Sequence, residues 1–243
     1  MQQYFVNELK ENLFLINKDD YHHILSVMRF KSGDNVVVVY QHTKFLCSLV
    51  IEKDFVGAQI IEQINENSQQ FPEITLIYGL PKLEKFELVL QKACEIGVKR
   101  IVPFLSKRSI IKLDNEKIDK KIIRWEKILK EASEQSRRND IPIITNPISI
   151  KELNKYLGEI SLVADERKYV EGVHSFYEQI KDIANVKSVS IIIGPEGGFD
   201  ESEFKYFDSL NVKPISLGKR ILRSETACIY ALSIIEFFKE KDL

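Results

Sequence analysis

The chain has 243 residues, 44% of them hydrophobic, which is enough to build a core and rules out wholesale disorder. Its 35 basic and 36 acidic residues leave a formal charge of −1, which excludes a bulk polycation but allows a local basic patch. No apolar run approaches the roughly 18 residues of a membrane span. The first residues carry Glu8 and Glu11 where a secretory leader would be apolar. Cys47, Cys94 and Cys228 stand too far apart to indicate a disulfide framework or a zinc site. The expectation is a cytoplasmic protein with no membrane segment and no metal.

In chain order, the first seventy residues read as short strands. FLINKDDYHHILSVMRF (14–30) begins extended, a short helix is expected around His22 to Met28, and Gly33-Asp34 marks a turn. The runs NVVVVY, FLCSLVIE and GAQIIEQI then predict three strands, the last opening at Gly57, and together they suggest a small barrel. The polar stretch from Asn65 to Glu73 reads as a linker ending at Pro72.

Beyond it the pattern alternates. ITLIYGLP is a strand, and Leu83 to Val98 is a helix with a stripe at Leu83, Phe86, Leu90, Ala93 and Gly97. RIVPFLS is a strand, and Glu116 to Ser136 repeats Ile118, Ile122, Trp125, Leu129 and Ala132 on one helical face. IPIITNP, SLVADE, SVSIIIGP and VKPISLG follow as short apolar runs before a last helix from Ser224 to Glu240. Such alternation predicts a parallel sheet covered on both faces. The last helix is apolar well beyond one stripe, so it needs cover on two sides. A second subunit or a neighbouring helix of the same chain would supply it.

Three segments concentrate the chemistry. Gly194-Pro195-Glu196-Gly197-Gly198 follows a buried strand and precedes a helix with Asp200 as N-cap and Glu203 at capping-box spacing. Such loops bind ligands at the carboxyl ends of parallel strands. The acidic residues around this one oppose phosphate and favour a neutral or cationic ligand. In the second segment, Ser216 to Ala227, Lys219, Arg220 and Arg223 crowd a helix start that disfavours cations, which points to RNA phosphate or a developing negative charge. In the third, Lys82, Lys85 and Lys92 share one side of a helix, and Arg108 and Arg137-Arg138 add positive charge. The four histidines form no catalytic spacing.

Together GPEGGF (194–199), SLGKRILRSETA (216–227), the segments 81–109 and 124–142, and the N-terminal HHILSVMRFKSGDNVVVV resemble one family. That is the RsmE family of SPOUT-class RNA methyltransferases, which methylate N3 of a uridine in 16S ribosomal RNA. The resemblance implies an α/β fold: a PUA-like β-barrel RNA-binding domain over 1–70, then a SPOUT domain over 71–243 with a parallel sheet and a C-terminal trefoil knot. It implies S-adenosylmethionine as cofactor, a homodimer, and 16S ribosomal RNA or the small ribosomal subunit as partner. Residue by residue, it places the cofactor against Gly194, Pro195, Glu196, Gly197, Gly198, Leu217, Gly218, Leu222, Thr226 and Ala227. It implies RNA contacts from Lys82, Lys85, Lys92, Arg108, Arg138, Lys219 and Arg220. Arg223 is expected to stabilise charge on the uracil oxygens, and Glu225 to accept the proton or orient Arg223. One departure stands out: Arg137 replaces a usually small residue. Two other readings stay open, a SPOUT enzyme acting on tRNA or a ribose hydroxyl, and a non-catalytic ribosome-assembly factor.

Overall fold

The computed structural model describes residues 1–65, 71–109 and 115–240. Two compact units emerge, Met1–Gln69 with Ser133–Ile141, and Gln70–Ala132 with Pro142–Leu243. Most of the expected linker after residue 65 lies outside the described residues.

The first unit is a six-stranded sheet of β1 (Gln3–Phe5), β2 (Glu8–Lys10), β3 (Leu13–Leu15), β4 (Asn35–Tyr40), β5 (Thr43–Glu52) and β6 (Phe55–Ile64). Their order is β1-β4-β5-β6-β3-β2, with the ladder open between β1 and β2. Gln41 and His42 join β4 to β5 with φ of 48° and 64°, the two left-handed residues of a tight hairpin turn. Alternation then sends Val36 and Val38 inward onto Tyr4, Phe14, Leu49 and Val56. Gly57 sits inside β6 rather than opening it. A Cβ there would come within 2.7 Å of the Phe55 ring. The expected short helix is α1 (Lys18–His22) running into one π turn, His23–Val27, which buries Ile24 and leaves Leu25, Val27 and Met28 exposed.

Residues 133–141, the end of one long helix and the turn after it, join this unit although the rest of that helix belongs to the other, a feature no local pattern announces. Gln3 donates its side-chain amide to the Arg138 carbonyl at 2.6 Å, and the Phe5 N–H donates to Glu134 Oε1 at 3.2 Å. These bonds use the polar groups of β1, an edge strand. Here Arg137 adopts φ 59°. Arg138 N–H reaches the Ser133 carbonyl at 3.0 Å and Arg137 N–H the Glu134 carbonyl at 3.4 Å. That is the Schellman ending of a helix, whose left-handed position favours glycine. The departure at Arg137 is therefore a matter of backbone conformation.

The second unit carries β7 (Glu73–Gly79), α2 (Leu83–Ile96), β8 (Arg100–Phe104), α3 (Asn115–Gln135), β9 (Ile143–Ile144) and β10 (Ile160–Ala164). It continues with α4 (His174–Ile180), β11 (Ser188–Ile193), α5 (Glu201–Ser209), β12 (Lys213–Ile215) and α6 (Ser224–Glu240). The sheet order is β12-β10-β11-β7-β8-β9, and every ladder is parallel. The central strands β7 and β11 are buried on both faces, which is why they read as unbroken apolar runs.

On one side α2 buries Phe86, Val89, Leu90, Ala93 and Cys94, while Leu83 of the expected stripe is half-buried. Trp125 of α3 meets Phe86 with ring centroids 4.6 Å apart, a core role as expected. α6 packs on α2 and buries Ala227, Cys228, Ala231, Leu232 and Ile235. Cover from the same chain thus explains one side of α6, yet Tyr230 and Phe237 remain exposed, Phe237 by 68%. The 3-10 turns at Ile150–Tyr156 and Glu166–Glu171, and α4, have no counterpart in the sequence reading. They are too short to show a helical hydrophobic period.

Candidate active site

The carboxyl ends of β10, β11 and β12 open onto a cavity of about 500 Å³. This is where parallel sheets bind ligands. Gly194 to Gly198, Leu217, Gly218, Leu222 and Ala227 line it, as do Lys85, Arg220 and Arg223. Thr226 and Glu225 do not line it, and Lys219 lines a smaller adjoining cavity with Arg220 and Tyr230. Lys82 and Lys92 stay outside both, with Lys92 paired to Glu95 at 2.9 Å, and Arg138 belongs to the other unit.

The glycine loop after β11 is fastened from several directions. At Gly79, the end of β7, a Cβ would lie 2.5 Å from Pro195 Cδ, so only glycine lets strand and loop approach this closely. Gly198 needs its freedom too, with φ 64°. Arg108 donates to the Gly197 carbonyl at 3.1 Å and lies 3.8 Å from Asp200, so its charge serves the loop. Asp200 and Glu203 cap α5 reciprocally, as the sequence spacing predicts. Buried Glu203 also accepts the Lys107 N–H at 3.0 Å.

A line of polar groups joins this loop to the start of α6. Tyr78 OH donates to Ser224 Oγ at 3.0 Å, and Ser224 Oγ donates to Glu225 Oε2 at 3.3 Å. Lys85 Nζ lies 3.3 Å from Glu225 Oε2 and 3.4 Å from Glu196 Oε1. Desolvation opposes charge on Glu225, but its own backbone N–H and the Lys85 ammonium outweigh it and hold the carboxyl below the usual range. Desolvation likewise opposes charge on Lys85, and its bonds to Glu225 and Glu196 outweigh that, holding it above the usual lysine value. Glu225 is therefore ionised but a weak base, and its partner is Lys85.

The loop after β12 is built differently. Ser216 is buried and its hydroxyl accepts the Gly218 N–H at 3.2 Å. Beyond that turn Lys219, Arg220, Ile221 and Arg223 are exposed, and the three cations form no ion pair among the described residues. Arg223 thus presents an uncommitted guanidinium to the cavity.

Sequence reasoning missed a third wall, Asp165, Glu166 and Tyr169 after β10. Asp165 is buried and grips Arg167 through two bonds of 2.8 Å, and that guanidinium rests 3.8 Å over the Phe204 ring. The rule that located the other loops, the carboxyl end of a parallel strand, also covers Ala-Asp-Glu, but no glycine drew attention to it.

Residues 67–236 match the model of an RNA methyltransferase domain, and residues 16–61 that of an RNA methyltransferase PUA domain. The chain is 36% identical to ribosomal RNA small subunit methyltransferase E of Bacillus subtilis over 99% of its own length and 98% of that protein. Identity to the protein of that name from Mesomycoplasma hyopneumoniae is 39%, covering 96% and 98% of the two chains. A solved methyltransferase from Legionella pneumophila, in complex with its bound cofactor SAM, is 28% identical and superimposes over 96% of each chain with a TM-score of 0.83. On a match that runs through both units and nearly the whole length, the chain belongs to the ribosomal RNA small subunit methyltransferase E family.

Proposed function

We propose that this protein transfers a methyl group from S-adenosylmethionine to N3 of a uridine in 16S ribosomal RNA. The observation that carries the reading is the cavity itself, closed by the glycine loop and edged by the uncommitted Arg223. Its residues fit the cofactor. Asp165, Glu166 and Glu196 line it together with Lys85, Arg220 and Arg223, and the acidic groups suit a cationic sulfonium. S-adenosylmethionine supplies an electrophilic methyl group when bound.

The residues then divide the work. Gly194 to Gly198 form one wall, and Leu217, Gly218, Leu222 and Ala227 another, while Thr226 is exposed and stands apart from them. Uridine N3 must lose its proton before it attacks, and the resulting charge spreads onto O2 and O4. Arg223 is placed to stabilise that charge, as oxyanion donors do. Glu225, held by Lys85, suits positioning better than proton abstraction. Lys82, Lys219 and Arg220 are read as the RNA-facing cations, whereas Arg138 of the PUA-like unit is largely buried and pairs with Asp140 at 3.1 Å, which leaves it no charge to offer RNA.

The same reading includes a homodimer, a trefoil knot in the C-terminal segment, a cytoplasmic setting and a division near residue 70. The open apolar face of α6, with Tyr230 and Phe237, supports the dimer. Among the described residues no helix is long and apolar enough to cross a membrane. The spans of the two matched family models support the division.

The test is methyl transfer to small ribosomal subunits from cells lacking this activity, with the product nucleoside mapped by mass spectrometry. A methyl group on N3 of one uridine in 16S RNA is the expected result. Methyl on another nucleoside would overturn the specificity. No transfer to subunits, free ribosomal RNA or tRNA would leave a binding factor.

A further inference from the structure

We propose that Lys85 is a positioning residue, a clamp that holds the glycine loop against the start of α6, and not a contact to RNA phosphate. This deepens the reading of the site given above and rests on it. Lys85 lies in the first turn of α2, yet its ammonium is shared between two segments distant in sequence. Glu196 belongs to the loop after β11, and Glu225 to the first turn of α6. Glu196 is tied to α2 a second time, accepting the Lys82 N–H at 3.4 Å. Glu225 is tied to the core through Ser224 and the buried Tyr78.

The chemistry favours this use of lysine. An ammonium has three donors and no acceptor, so one group can bridge two carboxylates that would otherwise repel each other. With both carboxylates ionised, the triad keeps one net negative charge, which repels phosphate. Arg223 stands next to Ser224 with its side chain free and its backbone carbonyl accepting the Ala227 N–H at 2.8 Å. The clamp therefore fixes the backbone on which Arg223 is mounted while leaving its guanidinium available. An error of an ångström in that mounting is the kind of fault that costs turnover rather than binding.

Three measurements on the full-length protein test this: steady-state kinetics with 16S RNA at saturating S-adenosylmethionine, amide hydrogen exchange without ligand, and thermal melting. Lys85→Met, which keeps the aliphatic stem, is expected to lower kcat by about 100-fold. KM for RNA should stay within about threefold, because the phosphate contacts lie elsewhere. Amides at 196–198 and 224–228 should exchange at least about tenfold faster. Lys85→Arg should restore most of the turnover, and the melting temperature should barely move. A raised KM with unchanged kcat and unchanged exchange would make Lys85 an RNA contact and overturn the proposal. Unchanged kinetics and exchange would overturn it as well. Should the unaltered protein transfer no methyl group to 16S RNA, the reading of the site fails, and the exchange experiment still decides whether the clamp exists.

Discussion

The loops after β11 and β12 wall the same cavity but are made in opposite ways. The first is spoken for at nearly every residue: Gly79 against Pro195, Glu196 on Lys85 and the Lys82 N–H, Gly197 on Arg108, Asp200 on Glu203. The second turns once on Ser216 and then exposes Lys219, Arg220, Ile221 and Arg223, with Ile221 exposed by 81%. The difference fits the roles proposed for the two loops. A wall that binds one small molecule benefits from being preorganised, because ordering it on binding would cost affinity. An edge that meets a large polyanion keeps its charges unpaired until the partner arrives.

The sharpest way to break this comparison is Arg223→Ala. Its guanidinium belongs to the open loop but is assigned to the reaction, so kcat in single-turnover transfer should fall by about 100- to 1,000-fold. Cofactor affinity by calorimetry should hardly change. An equal loss in cofactor affinity would mean that the open loop is part of the wall.

Gly79→Ala attacks the fixed loop from beneath. The new methyl would lie 2.8 Å from the Pro195 backbone nitrogen, where no flexible side chain can yield. The expected cost is about 1–3 kcal/mol in thermal unfolding, with weaker cofactor binding. A smaller contrast comes from two arginines. Arg220→Ala should weaken RNA binding and reduce its salt slope by about one. Arg108→Ala should leave that slope alone and weaken cofactor binding by about threefold, the worth of one ordinary hydrogen bond. Matching salt slopes would erase the distinction between the loops. The smallest effect calibrates the backbone. Arg137→Gly should stabilise the protein by about 1 kcal/mol, measured by denaturant unfolding, because φ 59° suits glycine. That value sets the scale for replacing Gly198 at φ 64°.

What the sequence made legible was local or periodic. The capping pair Asp200 and Glu203 is written three residues apart and appears as read. The apolar runs at β7 and β11 announce a sheet covered on both faces. Lys85 was different: its spacing from Lys82 and Lys92 marks a basic helix side, but its true partners lie more than a hundred residues away. Arg108 and the Gly197 carbonyl it holds are separated in the same manner. Asp165 caps, and Glu166 opens, a 3-10 turn with no period and no glycine to mark it. Pairings made by the tertiary fold leave no repeat in the chain, so residue type suggested a basic patch where the structure has a clamp and a brace.

The sheet order has a consequence for how the protein is made. β7 pairs on one edge with β8, which follows it after a single helix, but on its other edge with β11, whose first residue, Ser188, comes more than a hundred positions after Glu73. During synthesis at about 5–20 residues per second, that apolar edge waits on the order of ten seconds for its neighbour. Parallel pairing at such separation is slow to close and leaves a strand open to wrong partners. Newly made chains thus pass through a stage in which one half of a buried sheet is finished and the other does not yet exist.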